Sequence, residues 1–212
     1  MPFSTDRDLL LAEPNLFSEV LFASQKRLEV SDGVTTGTTL TSANADFAAA
    51  QVGAGDVVLI GGQACEVIAR VDSHTLTVSR PRKLLGDTPI PPPAGTGLAV
   101  VVRTFQPQSQ LVHDVLLMRL GVNAGTAEAD LFESQVVSLS LMRKLEILGT
   151  LAHVYTAAIA LGADNDVPRE KAAMHKANFE AAARFARVQM DLDNDGEVDA
   201  IRDLALIDLK RV

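Results

Sequence analysis

Aromatic residues are scarce in this chain of 212 residues: they make up 4% of it, with a single tyrosine and no tryptophan. A base-stacking or sugar-stacking platform of several rings is hard to assemble from so few, and the core must be aliphatic. Cysteine is rarer still. The one thiol, Cys65, excludes an intramolecular disulfide and any zinc site with more than one thiolate ligand, a usage that fits intracellular synthesis. It falls in a predicted strand with no lysine or histidine beside it, so it reads as a buried, inert thiol. No stretch reaches the roughly 18 uninterrupted apolar residues of a membrane span, and residues 1–8 carry neither a basic n-region nor an apolar core. A soluble protein, not exported by that route, is expected. Basic charge is also short: 19 Lys and Arg face 27 Asp and Glu, a formal net charge of -8. Split at Gln110, the two parts hold 8 basic against 11 acidic and 11 against 16, so no basic domain hides in the average and counterion-release binding to nucleic acid is not expected.

What is present is an ordinary globular balance, 47% hydrophobic and 22% charged, on a length that suits two small domains. The expected class is α+β: a small β-barrel or sandwich followed by an α-helical bundle and a C-terminal strand or tail. Residues 1–24 hold a short helical segment, 6–12, that Ser4 or Thr5 caps and Pro14 ends. A β-rich domain follows over 25–103, where threonine, valine and glycine dominate and the period falls toward two. Its strands are expected at 20–30, 35–41, 56–60, 65–71, 75–79 and 98–103, the first reaching back into the opening segment. Five of the nine prolines crowd into the loop 80–97, which should stand out from the sheet as an extended arm with Arg80, Arg82 and Lys83 at its base.

A helical bundle is expected over 104–190. Ser109 caps a helix to Leu120 with Leu111, Val115 and Met118 on one face and Gly121 stopping it. The second helix, 138–161, carries two adjacent apolar rows, a stripe too wide for one partner, and so belongs at the bundle centre. The third starts at Pro168 and runs to about Met190 with Met174, Ala181, Phe185 and Val188 inward.

Catalytic constellations are missing. His74, His113, His153 and His175 form no His-Glu-x-x-His pair, there is no Gly-x-Ser-x-Gly elbow or Walker loop, and the glycines of 52–62 frame a strand instead of opening a helix. An enzyme is therefore not expected. One local signal is sharp: Asp191-Leu-Asp193-Asn-Asp195-Gly196-Glu197-Val-Asp199. Its carboxylates at positions 1, 3, 5 and 9, its turn glycine at 6 and the Glu197 carbonyl at 7 make the oxygen shell a hard cation takes. Arg202 stands where a helix-loop-helix site has its glutamate, and the segment instead resembles the shorter Asp-x-Asp-x-Asp-Gly-x-x-Asp calcium loops of integrin-type propellers. The candidate ligands are Asp191, Asp193, Asp195, Glu197 and Asp199, for Ca2+; the other reading is a solvated acidic turn capping the third helix. No other cofactor is required.

Several segments together resemble a family of tailed-bacteriophage neck proteins, the head-to-tail connector or adaptor subunits. They are the opening Asp8-Leu-Leu-Leu-Ala-Glu-Pro-Asn-Leu-Phe17, the β unit with Asp46-Phe47, Gly55-Asp-Val-Val-Leu-Ile60 and His74-Thr-Leu-Thr-Val-Ser-Arg80, the junction Arg103-Thr-Phe-Gln-Pro-Gln108, and the ending from Asp191. The resemblance covers nearly the whole chain and implies a structural virion protein in the neck, assembled in the host cytoplasm. It implies a homo-oligomeric ring of about twelve copies below the portal protein, in contact with other neck or tail proteins and with no membrane. DNA would pass through its channel without specific binding, in the role of adaptor or of lower connector. The last segment, Ala205, Leu206, Ile207, Asp208, Leu209, Lys210, Arg211 and Val212, is the candidate partner-binding element, a terminal strand that either adds to a sheet edge of a neighbour or completes the chain's own β unit. The alternative function is a calcium-stabilised ligand- or receptor-binding virion module.

Overall fold

A computed structural model describes residues 1–122, 131–160 and 166–204. The chain divides into two units, Thr5–Gln106 and Met1–Ser4 with Pro107–Val212. The architecture is α+β: a closed antiparallel β-barrel, then an α-helical bundle and a short C-terminal strand.

The first unit opens with α1 (Asp6–Ala12), where the Asp8 carboxylate accepts the Thr5 N–H at 2.9 Å and so satisfies a donor that the helix leaves open. A short α2 (Leu16–Glu19) follows. The barrel strands are β1 (Lys26–Thr36), β2 (Thr39–Thr41), β3 (Val57–Ile60), β4 (Gln63–Arg70), β5 (Thr75–Ser79) and β6 (Gly95–Arg103), closed in the order β1-β2-β5-β4-β3-β6. Closure leaves no free edge to aggregate. Val58 pairs with Cys65 on one side and Val102 on the other, and with Leu40, Phe47, Leu76, Val78 and Val100 these fill the interior. All four residues of β3 are buried, because α1 lies against β3 and β4 and covers the barrel's outer wall there. Phe17 and Phe22 pack against Phe105, the first tilted at 59° with ring centroids 5.0 Å apart and the second edge-on.

Two expectations for this unit are corrected. Residues 20–25 are not strand, and β1 instead runs on through Asp32 and Gly33 to Thr36. The proline-rich loop is not a projecting arm. The Arg80 N–H donates to the Ile90 carbonyl at 2.8 Å, the Thr35 hydroxyl to the Pro93 carbonyl at 2.7 Å, and Arg82 is buried.

The second unit is built on α3 (Gln106–Leu120), α4 (Leu139–Ala160) and α5 (Asp166–Arg184), followed by β7 (Arg187–Met190) and β8 (Ala200–Asp203), paired antiparallel. α3 ends on Gly121, whose φ of 76° lets the Val122 N–H turn back to the Leu117 carbonyl at 2.9 Å. α4 is buried on more than one face, as its double stripe requires. The buried faces of its neighbours are not the expected ones. α3 turns Val112, Leu116, Leu117 and Leu120 inward and leaves Leu111 and Met118 in solvent. α5 stops at Arg184, because residues 187–190 pair as a strand; Met174 and Ala181 are exposed, Phe185 is 79% exposed, and Val188 is buried on β7.

Candidate functional site

The acidic loop joins β7 to β8, so it forms the connection of a hairpin and caps no helix. Oxygens of Asp191, Asp193 and Asp195 lie within 4.8 Å of one another, close enough for the triad to coordinate one divalent cation. The loop holds them itself. Asp191 accepts the Asp195 N–H at 3.2 Å and the Gly196 N–H at 2.8 Å, and Asp193 also accepts Asp195 N–H at 3.2 Å. That N–H pulls the Asp193 carboxyl down, but partial desolvation and the charges of Asp195, Asp199 and Asp191 outweigh it and leave it raised. Glu197 donates its N–H to Asp195, and the Asp199 carboxylate accepts the Leu192 N–H at 2.7 Å, closing the loop outside the triad. The candidate partner-binding residues 205–212 lie outside the described residues.

Two other features carried no signal in the sequence. The first is a groove of about 320 Å³ between α3, α4 and α5. Val112, Gly149 and Phe179 form its floor, Val115 and Ala152 its walls, and Arg119, His153, Thr156, Lys176 and Glu180 its rim. The helices meet closely at Gly149, where a Cβ would stand 2.6 Å from Val112 Cγ1. Arg119 lies 5.5 Å over the Phe179 ring, which keeps a cation beside the apolar floor.

The second is a buried ion triad in the barrel unit. Glu66 is 1% exposed and accepts hydrogen bonds from Arg7 Nε and from Arg82 Nε, the latter at 2.5 Å. Arg82 then reaches outward: its Nη1 donates to the carbonyls of Leu85 at 3.1 Å and Asp87 at 2.7 Å. The Leu84 N–H donates to Asp87 Oδ2 at 2.9 Å and the Asp87 N–H to the Leu84 carbonyl at 3.2 Å. The turn 84–87 is thus fixed from beneath while Leu84 and Leu85 stand 61% and 69% exposed.

A second buried polar cluster lies in the helical unit. Glu146, fully buried on α4, accepts the Phe3 and Ser4 N–H groups at 3.0 and 2.8 Å, and His113 Nδ1 lies 3.0 Å from it. Burial opposes a charge on His113, but the Glu146 hydrogen bond and the Glu133 and Glu146 charges prevail and raise its pKa. Cys65 is fully buried, and desolvation pushes its thiol to about 11, the inert behaviour expected of it. Among the described residues no helix is long and apolar enough to cross a membrane. Comparison with protein-family models, with curated proteins and with solved structures finds no match.

Proposed function

We propose that this chain is a structural subunit of a tailed-phage neck: a connector or adaptor that forms a ring of about twelve copies between portal and tail and acts by binding, without catalysis. The observation that carries the reading is the set of large apolar side chains left in solvent on α3 and around the end of α5. Leu111 and Met118, seven residues apart on α3, Met174 on α5 and Phe185 in the turn just after α5 are 59%, 68%, 48% and 79% exposed. Scattered surface apolar residues are ordinary, but apolar residues at helical spacing on one helix, with more beside a second, are what a subunit presents to neighbours. The net charge of -8 suits the wall of a channel through which DNA slides without being held. Mixing the protein with the portal protein and sizing the product by light scattering, followed by cryo-EM of the particle neck, tests this. A ring is expected; one copy or none in the neck refutes it. Removing residues 205–212 is expected to leave a folded subunit that no longer joins the portal, whereas unfolding would assign that segment to the subunit's own core.

The Asp191, Asp193 and Asp195 triad favours a second component, a calcium ion held in the 191–199 loop that orders the hairpin and stabilises the fold by mass action. It is also what favours the alternative of a calcium-stabilised ligand- or receptor-binding module. Calorimetric titration with calcium should release heat and excess chelator should lower the melting temperature; neither effect would leave the loop an acidic turn.

A further inference from the structure

We propose that the Leu84–Leu85 turn of one copy seats in the groove between α3, α4 and α5 of a neighbouring copy, a head-to-tail contact between identical chains. It rests on the ring reading and assigns that ring two surfaces.

The turn is tied down yet presents two apolar side chains to solvent. Two leucines at 61% and 69% exposure would cost little to bury and gain much, and their backbone is held by the Arg82 guanidinium, itself 6% exposed and anchored on Glu66. A loop fixed in its bound shape loses little entropy on docking. A buried ion triad is an expensive means of holding a turn in place and a poor source of stability, which points to the turn's position as its purpose.

The groove is the matching surface. Its 320 Å³ leaves room for two leucine side chains, and Val112, Val115, Ala152 and Phe179 give it an apolar lining. The rims match in charge. Lys83 and Asp87, both exposed, flank the two leucines, and the groove rim carries both signs, Glu180 for the lysine and Arg119 and Lys176 for the aspartate; the exposed Lys176–Glu180 pair, at 4.0 Å, is weak enough to exchange partners. Opposite charges around a desolvated apolar centre fix orientation and exclude wrong partners. Because turn and groove are different surfaces, each copy keeps one of each free after pairing, and repetition of the contact extends a ring or filament.

Sedimentation equilibrium of the full chain tests the contact, at concentrations up to about 1 mM, where weak encounters are populated. Four samples are compared: the native chain, Leu84→Asp with Leu85→Asp, the groove variant Val115→Arg with Thr156→Phe as a second filling of the same groove, and an equimolar mixture of turn and groove variants. Circular dichroism and melting establish that each variant is folded. The native chain is expected to grow in mass with concentration and each folded variant to remain at 22.6 kDa. The mixture is expected to form dimers and nothing larger, since only one intact turn and one intact groove can meet. Turn variants that associate like the native chain overturn the contact and leave the ring standing. So does a mixture that stays monomeric. A native chain monomeric throughout overturns the contact too, while assembly on the portal decides the ring separately.

Discussion

Replacing Glu66 with glutamine removes the carboxylate that faces two buried guanidinium groups, Arg7 and Arg82, each with a side chain 6% exposed. Breaking a buried ion pair by deleting one partner costs about 3–5 kcal/mol, because the charge left behind has neither water nor a counterion. Here two charges are left behind, so the upper part of that range is expected, a large share of the ~5–15 kcal/mol that holds a domain together. Cys65 supplies a reporter specific to the barrel. It is the chain's only thiol, it is fully buried between β3 and β5, and burial has pushed its pKa to about 11, so alkylation requires the barrel to open. A loss of 3 kcal/mol raises the open population, and with it the labelling rate, on the order of a hundredfold. A rate within tenfold of the native chain would show that the triad is not the closed, desolvated network described. Replacing all three residues together (Arg7→Met, Glu66→Leu and Arg82→Met) should return Cys65 protection to the native level or beyond, since apolar substitutes of similar volume often match a buried triad. The same triple variant strips the Leu85 and Asp87 carbonyls of their donor. It should therefore keep the barrel and lose the self-association.

Asp6 is fully buried, and desolvation, helped by the charge of Asp56, lifts its carboxyl from 3.8 to about 7 against the pull of the Phe105 N–H, Thr104 and the Arg27 charge. The unfolded chain releases this proton near pH 4 and the folded chain keeps it to about 7. Stability is therefore full at the acid end of that window and falls by about 4 kcal/mol across it as pH rises. Asp6→Asn should flatten that slope in denaturant melts at a series of pH values, and an unchanged slope would refute the assignment. Gly149→Ala places a methyl 2.6 Å from Val112 Cγ1, on a stiff β-branched side chain that is 2% exposed. The strain of about 1–3 kcal/mol exceeds the helix-propensity gain of about 1 kcal/mol, so the helical unit should melt at a lower temperature; a rise would mean that α3 and α4 separate freely there.

Where one physical signal governed a segment, the sequence was readable. β5 at Thr75–Ser79 and α1 at Asp6–Ala12 fall on their expected bounds, the one from its alternation between turns and the other from its cap and from Pro14. Where two signals compete, the sequence points to the wrong one. Asp32 and Gly33 spell a turn, yet β1 passes straight through them. Gly33 sits where the pairing with β6 shifts register, and a Cβ there would meet Val100 Cγ2 at 2.4 Å. The glycine marks close approach of two strands and not a chain reversal. At the site, the carboxylate spacing of the 191–199 loop was visible, but Glu66 was not: flanked by Cys65 and Val67, it reads as the outward, solvated position of a strand. Only the fold, which lays α1 and the turn after Arg82 over that outward face, converts it into a buried anion.

The misread helix faces follow from the same cause and bear on function. α3 carries two apolar sets, Leu111, Val115 and Met118 on one side and Val112, Leu116 and Leu120 on another, and periodicity alone gives no reason to bury either first. The fold buries the second, which also takes His113 to the fully enclosed Glu146. Met174 of α5 loses the same competition to Ala172, His175 and Ala183. α3 is thus supplied with more apolar surface than one subunit encloses, and the excess is set at regular spacing on the side the core does not use. A monomeric design would carry charge there, since an apolar face left to water lowers solubility and adds nothing to stability. The surplus acquires a physical reason once a second chain covers it, and the Leu84–Leu85 turn, fixed by Arg82, and the groove beside Val115 are the two surfaces proposed to meet there.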